Sequence, residues 1–398
     1  MSKNIIPYGK QSISQADIDA VTETLKSDFL TQGPKVKAFE TAFAEYIGSK
    51  YAVAVANGTA ALHLNCLALN LKAGQKVITT PITFAASANC VKYCGGEVLF
   101  ADIDPKTYLI DIDSVRKLLE KDSDIVGIIP VDFAGRAVDM EAFKNLADQY
   151  NCWIIEDSCH SPGGYFVDAN DQKQNCGNGQ FADLAIFSFH PVKHIAAGEG
   201  GMITTNDKSL YEKLLILRTH GITKDSDQFQ NSMELAIAQS PDDNSQWPAW
   251  YMEMQELGYN YRLSDIHAAL GLSQLEKADQ GLKKRIEIAK KYNEAFEGQD
   301  FIKGHSGLVD GHAYHLYVLE VDDRYGLFNY LREHDIYAQI HYIPLHLMPY
   351  YQSQGWKQGD FPHAENYYKN CISIPMYPGL TDEEQNFVIE TIKTFYNG

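Results

Sequence analysis

Short apolar runs recur between helical patterns through the first half of the chain, and this alternation constrains the fold more than any other feature. YAVAVA (51–56), KVITT (76–80), EVLFADI (97–103), IVGIIPV (125–131) and CWIIED (152–157) are near-continuous apolar runs, and LAIFSF and GMITT follow them. Strands apolar at successive positions are buried on both faces, as in a parallel sheet covered by helices. The segments between them supply those helices. VKAFETAFAEYIG ends at Gly48, TFAASANCVKYC is stopped by Gly95 and Gly96, and GTAALHLNCLAL and MEAFKNLADQY carry helical patterns. Ser14 and Asp17 stand at capping-box spacing before a helix that runs to about Lys26.

After Ser209 the pattern changes. LYEKLLILRTHG is helical, and the polar stretch 223–247 reads as a surface loop or lid. From Ser264 a helical pattern continues to about Phe296 and predicts one long bridging helix. The strand HLYVLEV, the helix GLFNYLREH, the strand YAQIHYI and a last helix opened by Thr381 and Glu384 complete a smaller α+β unit. The expected organisation is a large α/β domain over 12–263 and a small domain over 264–398 that also takes 1–11.

Charge narrows the function. The 398 residues carry 34 Lys and Arg against 52 Asp and Glu, a net charge of −18. Such a field repels nucleic-acid backbones and anionic lipid, so neither partner is expected. The opening MSKNIIPYGKQSIS lacks an apolar core, and no run of 18 apolar residues occurs, which predicts a cytoplasmic protein. Seven cysteines without a CxxC pair predict no disulfide framework, and Cys90 with Cys94 reads as core packing rather than a metal site.

Four features carry chemistry. Asp157 ends the apolar strand CWIIED, where open α/β sheets bind ligands and a carboxylate can hold a protonated ring nitrogen. Lys193, in SFHPVKHIAAGEGG, follows a strand among glycines; burial would make such an amine a Schiff-base nucleophile. In NGTAALH, Gly58 permits a tight turn, and the amides of Thr59 and Ala60 open a helix that favours a phosphate. Phe84 is either a core residue or a plate for a flat ring, and His160 either contacts the same ligand or is an ordinary loop histidine. Together a lysine, an acid, a phosphate turn and an aromatic plate are the complement of pyridoxal 5'-phosphate (PLP).

The motifs LTQGP, NGTAALH, TTPITFAASANC, IIEDSCHSPGG, FSFHPVKHIAAGEGG, LGYNYRLSDIHAALGLSQL, HYIPLHLMPYY and ISIPMYPGLT resemble the DegT/StrS family of sugar-nucleotide aminotransferases across essentially the whole chain. The resemblance implies a fold-type I PLP-dependent transferase with a mixed, mostly parallel seven-stranded sheet and a smaller C-terminal α+β domain. It implies that Lys193 is the cofactor lysine, Asp157 the pyridine-nitrogen partner, Phe84 the stacking ring, and Thr59, Ala60 and Ser188 the phosphate ligands. It places His160 beside the cofactor. Asn260 would reach the phosphate of a partner subunit's cofactor, which implies a homodimer with shared sites. Tyr8, Thr31, His341, Tyr342 and His346 are implied at the substrate mouth. The branch suggested by PYGKQSI, TPITF, FSFHPVK, RTHGIT and HYIPLHL uses L-glutamate to aminate C4 of a UDP-2-acetamido-2,6-dideoxy-4-hexulose for pseudaminic-acid-type surface glycans. The D-xylo epimer of that sugar, on the way to bacillosamine-type diacetamido sugars, is an alternative substrate. A non-catalytic PLP-binding regulator is the alternative of another class.

Overall fold

In the computed structural model, which describes residues 5–397, the seven apolar runs form one sheet. Its strands are β1 (Tyr51–Val55), β2 (Lys76–Thr79), β3 (Glu97–Phe100), β4 (Ile125–Ile129), β5 (Trp153–Asp157), β6 (Leu184–Ser188) and β7 (Gly201–Thr205), in the spatial order β1-β7-β6-β5-β4-β2-β3. Every neighbouring pair is parallel except those made by β7, which runs antiparallel to β1 and β6. The apolar runs belong here because both faces are covered. Ile128, Ile154 and Ile186, on three successive strands, are fully buried, each contributing about 1.5–3 kcal/mol over an exposed position. One consequence governs everything below: the C-terminal ends of β1, β2, β5 and β6 open on the same side of the sheet.

The covering helices include α1 (Gln15–Lys26), α2 (Pro34–Ile47), α3 (Gly58–Ala68), α4 (Ala86–Tyr93), α5 (Ile112–Leu119), α6 (Met140–Tyr150) and α7 (Lys208–Leu217). The Ser14–Asp17 capping box forms as expected, and α2 ends on Gly48 in the left-handed region, φ 85°. The Cys90 side chain is buried in the main core, its thiol donating to the Ser87 carbonyl, as core packing requires.

The expected bridging helix is two helices. Asp265–Leu275 forms α8 and Ala278–Phe296 forms α9, separated at Glu276 and Lys277. The break re-aims the apolar face. Ala268 and Leu275 of α8 pack with Phe39 and Phe43 of α2, whereas Ile288, Tyr292 and Phe296 of α9 pack in a different cluster with Tyr317 and Leu319. Lys277 is pinned at the joint by the Ser12 carbonyl (3.0 Å) and the Asp17 carboxylate (2.5 Å).

The second cluster lies under an antiparallel sheet of β8 (Ile302–His305), β9 (Tyr317–Val321) and β10 (Cys371–Ile374), with α10 (Arg324–Glu333) and α11 (Asp382–Asn397). Thr381 and Glu384 close the expected capping box reciprocally. YAQIHYI does not form the expected continuous strand. Only Ile336–Tyr337 is a strand, parallel to Ile6–Pro7, and Gln339 makes a lone bridge to Ser373. Beyond it the chain leaves the sheet and turns toward the main sheet's open end. Residues 1–4 and 398, which the expected small domain includes, lie outside the described residues.

The polar stretch is ordered by one carboxylate. Glu253 accepts from the Gln230 and Asn231 amides (2.7 and 2.9 Å) and from the Tyr251 hydroxyl (3.0 Å), while Phe229, Trp247 and Tyr251 pack together. Among the described residues, no helix is long and apolar enough to cross a membrane.

Candidate active site

A cavity of about 440 Å³ sits at the C-terminal ends of β1, β2, β5 and β6. It is lined by Tyr8, Thr59, Phe84, Asp157, His160, Ser188, Lys193, His341 and Tyr342 among the residues expected from sequence. The parallel main sheet brings Thr59, Phe84, Asp157, His160, Ser188 and Lys193 together, and Tyr8, His341 and Tyr342 reach the cavity just beyond the Ile6–Pro7 and Ile336–Tyr337 pair.

The phosphate turn is built by α3. Asn57 is its N-cap, the side-chain oxygen accepting from the Ala60 amide at 2.8 Å. The first intrahelical bond runs from the Ala61 amide to the Asn57 carbonyl at 3.1 Å. The Gly58 and Thr59 amides precede it and are therefore the orphan donors of this terminus. Ala60 departs from expectation: its amide is already taken by Asn57 and it does not line the cavity. Gly58 is needed for closeness rather than for a special φ. A Cβ there would stand 3.3 Å from Ser188 Cβ and 3.5 Å from Cys159 Sγ. The turn and the end of β6 thus form a cradle that a side chain would fill.

Asp157 ends β5 and is 5% exposed. Its Oδ2 accepts from Ser87 Oγ at 2.6 Å and its Oδ1 from the Cys159 amide at 3.2 Å. Ser87 is oriented in turn by Thr83 at 2.9 Å. Phe84 is 63% exposed, so the core reading fails; its ring faces the cavity 6.4 Å from that of Tyr342.

Lys193 enters from the loop between β6 and β7. Burial lowers its amine below the usual 10.5; Cys159 and Asp157 oppose that shift and Arg285 adds to it. The charged form is disfavoured and the nucleophilic form favoured. The histidines nearby are held neutral. Burial first, then the Lys193 charge, pushes His160 well below 6.5 and His341 to about 3. His160 Nδ1 accepts from the Ala134 amide at 3.2 Å, which leaves the proton on Nε2, facing the Tyr342 hydroxyl at 3.4 Å. Burial raises the Tyr8 and Tyr342 hydroxyls, so both remain protonated donors. His341 Nδ1 pairs with Ser373 Oγ at 2.9 Å, and its ring lies 5.1 Å from Tyr8.

Besides Ala60, three expected residues stand apart. His346 is fully buried, bonded to Glu365 at 2.9 Å and packed on Phe361; it does not line the cavity of its own chain. Thr31 makes a lone bridge to Ser264, and Asn260 is an exposed residue bridged to Thr219; neither lines the cavity of its own chain. Ser87, Asn57 and His315, which also line the cavity, were missed. Ser87 lies in the first turn of α4, and its amide donates to the Phe84 carbonyl at 3.2 Å, so the turn that carries Phe84 also brings Ser87 to the cavity. His315 carries no local signal; it arrives just ahead of β9 of the small sheet, its ring centroid 4.3 Å from that of His160 in a tilted contact.

The residues suit one cofactor. A cradle with orphan amides, a buried carboxylate with one-sided partners, a depressed amine and an open aromatic plate fit the phosphate, ring nitrogen, aldehyde and ring face of PLP. The profile of the DegT/DnrJ/EryC1/StrS aminotransferase family matches residues 11–393, and the chain belongs to that family. It is a PLP-dependent sugar aminotransferase of fold-type I architecture. It is 37% identical over 398 residues to the UDP-4-amino-4,6-dideoxy-N-acetyl-beta-L-altrosamine transaminase of Campylobacter jejuni, covering 98% of this chain and 96% of that one. Its fold matches that of Helicobacter pylori PseC, an aminotransferase of pseudoaminic acid biosynthesis, with TM-score 0.86, 29% identity and coverage of 99% and 100%. It also matches the PLP form of a Streptococcus pneumoniae putative sugar aminotransferase, with TM-score 0.85, 27% identity and 99% of each chain covered.

Proposed function

We propose that the protein transfers an amino group from L-glutamate to C4 of a UDP-2-acetamido-2,6-dideoxy-4-hexulose, giving a UDP-4-amino-4,6-dideoxy N-acetyl sugar for surface-glycan biosynthesis of the pseudaminic acid type. The observation that carries this reading is the placement of Lys193, Asp157, Phe84 and the α3 N-terminus on one cavity. The name of the C. jejuni relative supports the sugar.

When bound, PLP supplies the electron sink for amine exchange. Thr59 and Ser188 hold its phosphate in the cradle beside Gly58, and Phe84 covers one ring face. Asp157 keeps the ring nitrogen protonated, with Ser87 and the Cys159 amide fixing its two oxygens. Lys193 holds the cofactor and moves a proton to and from the reacting carbon, a task that its depressed basicity suits. His160, neutral, directs its Nε2 proton toward the Tyr342 hydroxyl. Tyr8, His341 and Tyr342 form the mouth that receives the sugar and excludes water. In this proposal the cavity lies between a large domain, 12–263, and a small one, 264–398 with 1–11. Asn260 serves the cofactor phosphate of a partner subunit, making the working unit a homodimer.

The test offers glutamate with the L-arabino and D-xylo UDP-4-keto epimers and identifies the products by mass and NMR. Turnover of the L-arabino epimer ahead of the D-xylo epimer is expected. Much faster turnover of dTDP-linked keto sugars than of either would overturn the UDP assignment and leave the aminotransferase assignment standing.

A further inference from the structure

Lys193 also borders a second cleft, of about 320 Å³. Lys10, Lys277, Lys284 and Arg285 line it with Lys193, and no Asp or Glu does. In a chain of net charge −18 this is a concentrated exception to the prevailing field.

Arg285 is the unusual member. It is 1% exposed, yet no carboxylate pairs with it among the described residues. Its Nη1 donates to the carbonyls of Tyr314 (3.1 Å), His315 (3.3 Å) and Met376 (2.9 Å), which anchors the side chain. Its Nε has no partner. Burial pulls this guanidinium down to about 9, the signature of a cation without a counter-charge. Of the lysines, Lys277 is balanced by Asp17 at 2.5 Å and Lys284 touches Glu287 at 3.5 Å on its own helix, while Lys10 has no ion pair among the described residues. A buried cation with vacant donors is costly until an anion meets it.

We propose that this cleft binds a phosphate-type oxyanion, presented free or as the diphosphate of a nucleotide, at a site distinct from the cofactor cradle. A planar guanidinium flanked by ammonium groups matches the geometry and charge of phosphate. Arg285, without a counter-charge, together with Lys10 and the Lys284 ammonium favours a multiply charged anion over a single carboxylate. The inference does not rest on the identity of the sugar, because the cleft and its charges are independent of it.

The test is isothermal titration of the holoenzyme, whose cofactor fills the cradle, with inorganic phosphate. One saturable site per chain is expected, weakening as salt rises. Lys10→Gln and Lys284→Gln should each lower its affinity by about three- to tenfold. Arg285→Lys should lower it further; if that variant misfolds, Lys10, which is exposed, and Lys284, which is half-buried, still decide the matter. UDP that displaces phosphate identifies the nucleotide as the source, and UDP without effect identifies free phosphate. Absence of saturable binding, or binding that Lys10→Gln and Lys284→Gln leave unchanged, overturns the proposal.

Discussion

Gly58→Ala separates the fold from the cofactor cradle. Gly58 begins α3 without a left-handed φ, so alanine is sterically permitted on the backbone. Replacing a helical glycine by alanine gains up to about 0.5–1 kcal/mol. Against this, the new Cβ meets Ser188 Cβ at 3.3 Å, which requires a shift of a few tenths of an ångström. The two effects nearly cancel, and the apo-protein should keep its stability to within about 1 kcal/mol. The cofactor fares differently. The methyl group occupies the space between the first-turn amides and Ser188, so the phosphate loses at least one charge-assisted hydrogen bond. That loss is worth about 1.5–3 kcal/mol, or roughly ten- to 150-fold in Kd. Thermal unfolding of the apo-protein measures the first quantity, and absorbance titration of the apo-protein with PLP measures the second. A PLP affinity within twofold of wild type, with an unchanged apo-protein Tm, would refute the cradle.

Three further outcomes follow from the same geometry. Lys193→Met should abolish turnover and the borohydride-fixable colour. It should also flatten part of the apo-protein's pH profile: with the folded amine below 10.5, the unfolded chain binds more protons between the two values, so wild-type stability rises with pH through that window, as chemical unfolding will show. Asp157→Asn should retain PLP yet lower kcat by about two orders of magnitude or more, and Ser87→Ala, which removes one bond to that carboxylate, by about tenfold; equal single-turnover rates in Ser87→Ala and wild type would remove Ser87 from the site. Mixed Asn260→Ala and Lys193→Ala subunits should regain activity through hybrid dimers with one intact site, and failure of mixing to restore any would count against the shared site.

Much of this was written locally. The buried parallel strands follow from consecutive apolar residues, the ends of α1, α2 and α11 from Asp17, Gly48 and the Thr381–Glu384 pair, and Asp157 from its place at a strand end. These are readable because each depends on neighbours within one turn or one strand. Tertiary structure decided what depends on distant partners. The helix pattern from Ser264 has no local stop, and it breaks at Glu276 because its two halves face different cores. His341 and His346, five residues apart in one motif, part company because one turns to the cavity and the other is captured by Glu365. Ala60 matched the phosphate turn by position, yet the cap oxygen of Asn57 took its amide. Arg285 reads as one more basic residue on an amphipathic helix, and only packing shows it buried without a counter-charge. Sequence determines which groups the chain carries and how each segment folds locally; which of them meet, and which are desolvated, is decided by contacts across hundreds of residues.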